Sequence, residues 1–345
     1  MAVTCQRTTA DTRSSLDSIE TTAPLSQFRT YADYLRSRQV TEWNASALLY
    51  MQVAAIGGPQ LLPRLEECRT FAWFARNRVT GKVRVMANAC RLRWCPFCSR
   101  SRYNSIQPNV SDWLSKRRSP KLLTLTVSHS VRTLREQISS LYAAFRHFRK
   151  LHFFKRSVRG GIWFFQVKRS KNLKQWHPHF HILLDADYID QHLLSAEWFK
   201  ATGTSFVVDI RKVRTPAQAA AYVSRYVARP ANLSTLPPDD HIELYNALNH
   251  RRLCGSFGTA SKVMLRPQSS PDRKEWIRVG SWIDVTAFKR CPDKARLILA
   301  AWINGTPLDA DVAMPETVMN SFITFGDSDI PIAIDALEKN LTTFL

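Results

Sequence analysis

The sequence of 345 residues has no long apolar run, no glycine-rich phosphate-binding loop and no internal repeat. A membrane span needs about 18 or more consecutive apolar residues, and no stretch reaches that length. Residues 1–30 lack the apolar core of a secretion signal. The chain also lacks a lipidation motif and a long basic amphipathic helix, which argues against a membrane-surface protein. We therefore expect a cytoplasmic protein with no membrane partner and no fused helicase.

Acidic residues are scarce in the middle of the chain. The net charge is +21, and residues 61–230 hold 32 basic residues against 9 acidic ones, whereas residues 231–345 have a net charge of −2. Such a basic segment indicates a polyanionic partner, and nucleic acid is the usual one. Aromatic residues between positions 163 and 176 interleave with the charge, as stacking platforms for a single strand do, although each is equally typical of a core.

Seven cysteines are an odd number, which in a reducing compartment argues against a disulfide framework. Four of them have the spacing of a metal site: Cys68, Cys90, Cys95 and Cys98. A hairpin predicted over residues 71–89 brings Cys68 toward the C-x2-C pair. Four thiolates in a tetrahedron suit a structural Zn²⁺, so we predict a zinc site here, with free thiols as the alternative.

Three histidines alternate at the start of residues 176–184, which end in Ile-Leu-Leu and predict a buried strand. Since side chains on a strand alternate between faces, His177, His179 and His181 share one face. Neutral imidazoles presented together form a platform for a divalent metal. Hydrogen-bonded core histidines are the alternative interpretation.

Alanine-rich sequence between Pro216 and Pro230 predicts a helix, which Thr215 is placed to cap. One stripe of this helix carries polar and aromatic residues at helical spacing: Gln218, Tyr222, Arg225, Tyr226 and Arg229. A tyrosine becomes a feasible nucleophile when cations lie nearby. The alternative is that the tyrosines pack in the core and the arginines extend past them to solvent.

These segments, with the strand at residues 121–127, resemble the three ordered motifs of rolling-circle replication initiators of the HUH endonuclease superfamily. His179-Phe180-His181 matches the signature of that superfamily, and the cysteine module resembles the one in its plasmid replication proteins. The resemblance implies a DNA nickase and strand transferase that uses Mg²⁺ or Mn²⁺. A tyrosine attacks single-stranded or hairpin origin DNA and becomes joined to the 5′ phosphate, and the free 3′ hydroxyl primes synthesis. Duplex DNA, a host helicase and a DNA polymerase are the implied partners.

Two glutamines depart from the family pattern. Gln166 stands where relatives often carry glutamate, and its carbonyl binds a hard cation more weakly than a carboxylate does. We expect the metal ligands to be His179, His181, Gln166 and His177.

Gln218 stands where single-tyrosine relatives carry a glutamate that activates water, and an amide cannot act as a general base. The pair Tyr222 and Tyr226 is more similar to two-tyrosine initiators, although the sequence does not order the two. Arg225 or Arg229 replaces the usual lysine and keeps its reach to phosphate.

We expect an α+β fold with an antiparallel sheet and helices on one face, a ferredoxin-like or RNA-recognition-motif-like palm, preceded by a zinc-ribbon-like module. The elements run β-α-β-β-α-β-α, with a helix over residues 131–154 that Gly160 and Gly161 separate from a strand at 162–168. The expected segments are a disordered or helical preface (1–60), a zinc-binding basic module (61–118), the nuclease core (119–230), an extension of the core (231–302) and an acidic tail (303–345).

Two other functions fit the same sequence. A transposase or conjugative relaxase uses the same HUH chemistry. A non-catalytic, zinc-containing DNA- or RNA-binding protein would result if the two glutamines mark a decayed active site. The sequence does not predict the oligomeric state.

Overall fold

The structure, a computed structural model, describes residues 30–128, 130–170, 172–266 and 275–282. The predicted acidic tail and residues 1–29 of the predicted preface lie outside the described residues. The backbone forms two compact units. Of the described residues, the first unit contains 30–40, 66–90 and 275–282, and the second contains 41–65, 91–128, 130–170 and 172–266.

The helices and strands are numbered along the chain. The helices are α1 (Tyr31–Arg38), α2 (Val40–Ala55), α3 (Leu61–Glu66), α4 (Pro96–Ser115), α5 (Leu134–Phe148), α6 (His152–Ser157), α7 (Gln191–Thr202), α8 (Pro216–Ala228) and α9 (Asp240–Leu248). The strands are β1 (Ala72–Asn77), β2 (Val83–Ala87), β3 (Pro120–Thr126), β4 (Val158–Arg169), β5 (Trp176–Ala186), β6 (Val208–Lys212), β7 (Cys254–Gly258) and β8 (Trp276–Ser281). Within the described ranges, no helix has both the length and the apolar character that crossing a bilayer requires.

The first unit contains a three-stranded antiparallel sheet in the order β2-β1-β8. β1 and β2 form the hairpin that the sequence predicts, and Gly81 adopts a φ of +67° in its turn, a conformation that favours glycine. Phe74 of β1 stacks on Trp282, with ring centroids 5.7 Å apart. The pairing of β1 with the distant strand β8 was not predicted from the sequence.

The second unit contains a five-stranded antiparallel sheet in the order β6-β3-β5-β4-β7. The histidine strand β5 is therefore the central strand, with β3 on one side and β4 on the other. From β3 to α8, the predicted order of strands and helices is confirmed, with the short helix α6 added after α5. β7 adds an edge strand from the region that we expected to be an extension.

Helices cover both faces of the five-stranded sheet rather than one. On the first face, aromatic rings of α5 pack against rings of the sheet: Tyr142, Phe145, Trp163, Phe165 and Phe180. On the other face, apolar residues of α4 and α8 pack with those of β4 and β5: Val110, Ala220, Val223, Ile162, Phe164 and Leu183. The unbroken apolar run from Ile162 to Phe165 in β4 explains this arrangement, because neighbouring residues of a strand point to opposite faces and both faces must then be covered.

Gly160 and Gly161 lie inside β4 instead of separating a helix from a strand, so that expectation was wrong. A Cβ on Gly160 would lie 2.3 Å from the backbone nitrogen of Thr259, and a Cβ on Gly161 would lie 2.7 Å from the carbonyl oxygen of Leu183. The glycines are therefore required by the close approach of neighbouring backbone segments, not by a turn.

Candidate active site

Strand pairing places three polar side chains of β4 and β5 on one face of the sheet. In the register of the pair, Gln166 of β4 lies opposite His179 of β5, and His181 lies two residues farther along β5. His179 and His181 are 4% and 6% exposed. Since β5 is the central strand, neighbouring strands hold these imidazoles rigidly.

The two imidazoles converge on one amide oxygen. The Nε2 atom of His179 lies 2.7 Å from Oε1 of Gln166, and the Nε2 atom of His181 lies 3.1 Å from it. On the far side of each ring, Nδ1 of His179 lies 3.0 Å from the carbonyl oxygen of His177, and Nδ1 of His181 lies 3.3 Å from Oγ1 of Thr124. These outer contacts fix the orientation of both rings.

Both histidines are neutral at physiological pH. Burial, with a smaller contribution from the adjacent His181, lowers the pKa of His179 to about 3. Burial, with a contribution from Lys168, lowers the pKa of His181 to about 4. The carbonyl oxygen of His177 can only accept a hydrogen bond, so Nδ1 of the neutral His179 carries the proton. Nε2 of His179 then presents a lone pair toward Gln166. Two such nitrogens and an amide oxygen fit a divalent cation.

Helix α8 places two tyrosines against this face. Pro216 occupies its first turn, as predicted, whereas Thr215 precedes it without making a side-chain cap hydrogen bond. The Tyr226 ring stacks on the ring of His181 with centroids 4.7 Å apart and planes at 15°. The centroid of Tyr222 lies 5.6 Å from that of His181 and 5.5 Å from that of Tyr226.

The two tyrosines have different environments. Tyr226 is partly buried, and its ring lies between the rings of His181 and Tyr222. Burial is the main cause that raises the pKa of Tyr226, and the neighbouring Tyr222 adds to it, whereas the charge of Arg225 opposes it. Tyr222 is 38% exposed, and the guanidinium carbon of Arg225 lies 5.1 Å from the centre of its ring.

The remaining predicted residues lie around this centre. The ring centroid of His177 is 5.4 Å from that of His179. Gln218 lies on α8 one turn before Tyr222 and is exposed. Arg229 follows the last residue of α8, and its guanidinium forms an ion pair of 3.0 Å with Glu42. Nothing in the sequence pattern indicated the contact with Glu42, because it joins residues 187 positions apart.

The four predicted zinc ligands form a buried cluster. The potential ligand atoms of Cys68, Cys90, Cys95 and Cys98 all lie within 4.8 Å of one another, and none of the four is in a disulfide. The backbone N–H of Cys90 donates to the sulfur of Cys68 over 3.5 Å. Cys95 and Cys98 lie at the start of α4, which Pro96 begins. Four buried thiols this close together fit a structural Zn²⁺.

A comparison with known protein families identifies the family of this chain. The profile of the replication protein family Rep_1 matches residues 82–280, which is more than half of the chain, so the chain belongs to this family. The matched segment contains β4, β5 and α8, with every residue of the histidine and tyrosine centre described above.

Similar curated proteins carry the name Protein rep. One from Bacillus sp. is 28% identical over 192 residues, which cover 48% of this chain and 60% of that protein. One from Bacillus amyloliquefaciens is 25% identical over 247 residues, which cover 58% of this chain and 71% of the relative. One from Staphylococcus aureus is 25% identical over 175 residues, covering 46% and 76%. The chain thus spans less than two thirds of the first of these relatives. No solved structure matches significantly.

Proposed function

We propose that this protein initiates rolling-circle replication of a plasmid by nicking one strand of origin DNA through a tyrosine. The stacking of Tyr226 on His181, whose Nε2 atom lies 3.1 Å from Oε1 of Gln166, carries this proposal, because a tyrosine beside atoms that fit a cation is suited to attack a phosphate. The family membership and the basic segment from residue 61 to residue 230 support it.

The reaction is a transesterification. The tyrosine oxygen attacks the scissile phosphorus, the bond from phosphorus to the 3′ oxygen breaks, and the phenolic proton leaves as the 3′ oxygen gains one. The products are a 5′-phosphotyrosine and a 3′ hydroxyl that can prime a polymerase. Since the ester conserves the bond energy, attack by a later hydroxyl reverses the step and rejoins the strand.

The residues of the centre have separate tasks. His179, His181 and Gln166, with His177 beside them, would hold Mg²⁺ or Mn²⁺, which would supply positive charge to the scissile phosphate. Burial keeps the two histidines neutral, so that their lone pairs stay available. Arg225 offsets the negative charge that develops on either attacking phenol, because its guanidinium lies over the ring of Tyr222 and its charge lowers the pKa of Tyr226.

We assign the first cleavage to Tyr226 and the second to Tyr222. The ring of Tyr226 stacks on His181 with centroids 4.7 Å apart, whereas the ring of Tyr222 is more exposed and lies 5.6 Å from that of His181. Gln218 cannot activate water, so a second tyrosine provides the way to end the cycle. Arg229, at the end of α8, reaches DNA phosphate only when it leaves Glu42.

The other parts of the proposal concern binding. Zn²⁺ at the four cysteines is structural and fixes the start of α4. The substrates are single-stranded or hairpin origin DNA and adjacent duplex DNA, whose phosphates neutralise the basic segment. A host helicase and DNA polymerase then act from the 3′ hydroxyl in the cytoplasm.

A covalent-adduct assay tests this function. The full chain is incubated with Mn²⁺ and a labelled single-stranded origin oligonucleotide, and adducts that survive SDS are separated on a gel. We expect the wild type to form the adduct, Tyr226→Phe to lose it, and Tyr222→Phe to retain it but fail to complete strand transfer. His179→Ala should lose cleavage but keep most duplex affinity, because phosphate contacts dominate that affinity.

Two outcomes would reject the proposal. If neither the wild type nor any variant forms an adduct, the protein is a non-catalytic nucleic-acid-binding protein. If the double variant Tyr222→Phe, Tyr226→Phe forms as much adduct as the wild type, the nucleophile lies elsewhere. Loss of adduct in Tyr222→Phe with full retention in Tyr226→Phe would reverse the order of the tyrosines.

A further inference from the structure

A cavity of about 640 Å³ lies in the second unit, lined by α2 and the segment after it, residues 91–94, and α9 with the segment after it. This volume falls within the range of about 300–1,000 Å³ that is typical of small-ligand pockets. Neither His179, His181 nor the tyrosines of α8 are among the lining residues, so the cavity is separate from the proposed active site.

The charge of the cavity favours an anion. Its lining includes Arg91, Arg93 and His250 and no acidic residue. Nη2 of Arg93 donates to the carbonyl oxygen of Arg251 over 2.9 Å, whereas its Nη1 is buried and has no hydrogen-bond partner among the described residues. A buried guanidinium nitrogen without a partner costs free energy, which an anionic ligand would recover.

The walls of the cavity offer aromatic and amide groups. Tyr50 and Tyr245 meet edge to face with ring centroids 6.4 Å apart, and the Tyr50 hydroxyl accepts the backbone N–H of Trp94 over 3.3 Å. Asn246 and Asn249 also line the cavity and are exposed. Aromatic faces stack on nucleobases, and amide side chains hydrogen-bond with base edges.

We propose that this cavity binds one nucleotide unit of single-stranded DNA, with Arg91 and Arg93 on its phosphate and Tyr245 against its base. The inference rests on the proposed function only in taking DNA as the source of the nucleotide. A base held here would anchor the origin strand at a second point, away from the tyrosine that cleaves it.

Crosslinking and affinity measurements on the full chain test the proposal. A short oligonucleotide carrying iodouracil is irradiated with the protein, and crosslinked peptides are identified by mass spectrometry. We expect crosslinks at Tyr245 or Trp94. Arg91→Ala should weaken oligonucleotide binding about tenfold, the equivalent of one charge-assisted contact. Alanine keeps the Cβ of Arg91, so the positive φ of +59° costs no more than before.

Arg118→Ala is the matched control, because Arg118 is exposed and lies outside the cavity. Arg118→Ala removes the same charge as Arg91→Ala. It should weaken binding less than about threefold, because only the non-specific attraction between the basic segment and DNA phosphate is reduced. Equal weakening by the two variants, or crosslinks confined to peptides outside the cavity, would overturn the proposal. Thymidine monophosphate provides a separate arm: binding of the free nucleotide without binding of the oligonucleotide at this site would also overturn it.

The two proposals can fail separately. If no tyrosine adduct forms while crosslinks still map to Tyr245 or Trp94, the nicking function fails and the nucleotide site stands. If the adduct forms at wild-type levels under saturating DNA while Arg91→Ala binds no more weakly than Arg118→Ala, the nucleotide site fails and the nicking function stands.

Discussion

Replacing Gln166 with glutamate should strengthen metal binding at the active site. The amide oxygen of Gln166 already lies 2.7 Å from Nε2 of His179 and 3.1 Å from Nε2 of His181, and glutamate has the same shape. Gln166→Glu therefore adds a negative charge without moving an atom of the ligand set. A hydrogen bond or contact to a charged group contributes about 1.5–3 kcal/mol, and the burial of the site limits screening.

This free energy corresponds to at least about a tenfold decrease in the half-saturating Mn²⁺ concentration. The measurement is adduct formation with labelled origin DNA across a titration of Mn²⁺, with DNA in excess. The extent of adduct at saturating metal should change little, since the substitution keeps both tyrosines and Arg225 and the titration is read at its end point. The decrease in the metal requirement is thus separable from any change in the rate of chemistry.

Gln218→Glu is the matched control, because it makes the same chemical change at an exposed position of α8. It should leave the half-saturating Mn²⁺ concentration within about twofold of the wild type, since an exposed charge is well screened. If Gln166→Glu leaves the metal requirement unchanged or raises it, Gln166 is not a metal ligand. If both variants lower it equally, the effect is general electrostatics and the reasoning from distances fails.

Three further predictions concern stability. Asp185→Asn should lower the free energy of unfolding in urea by about 2 kcal/mol, because the buried carboxylate accepts two hydrogen bonds from Arg159 at 2.8 and 3.1 Å. Burial raises the pKa of Asp185, but its hydrogen bonds, chiefly those from Arg159, lower it by more, so the pKa is lower in the folded protein than in the unfolded chain. The stabilisation by the Asp185 carboxylate is therefore complete above the unfolded-state pKa and is lost as the pH falls through the folded-state pKa. A wild type no more acid-sensitive than Asp185→Asn would contradict this. Cys98→Ser should release Zn²⁺, measured by atomic absorption, and lower Tm as chelation does; unchanged zinc content would exclude the site. Gly160→Ala should cost about 1–3 kcal/mol in the same urea assay, since its Cβ would clash with the backbone of Thr259, and equal stability would refute this.

Local patterns explain which parts of the fold were predictable. The alternation of residues 176–184 gave β5 and the shared face of its histidines, and the proline at position 216 with the alanines after it gave α8. The hairpin of β1 and β2 followed from its turn, and the four cysteines from their spacing. Each of these signals lies within a short stretch of chain.

The other parts of the fold and of the candidate site were not predictable, because most of them depend on contacts between residues that are far apart in the sequence. α4 was not predicted, because its sequence has Pro108 inside it and little amphipathic periodicity. β7 pairs with β4 across about 90 residues, and β8 pairs with β1 across about 200 residues. At such separations one sequence does not indicate which strands pair or which residues lie opposite one another. The contact between Tyr226 and His181 likewise required the packing of α8 on the sheet.

Helix α4 links two features that the sequence keeps apart. Cys95 directly precedes α4 and Cys98 lies in its first turn. The later turns of α4, at Val110 and Leu114, pack beside Ala220 and Val223 of α8. A helix of 20 residues is about 30 Å long, so a shift of the first turn of α4 would also shift its later turns, which contact α8. Oxidation of the four thiols would release the first turn of α4, and we expect the proposed nicking to become sensitive to redox conditions although none of these four cysteines belongs to the proposed active site.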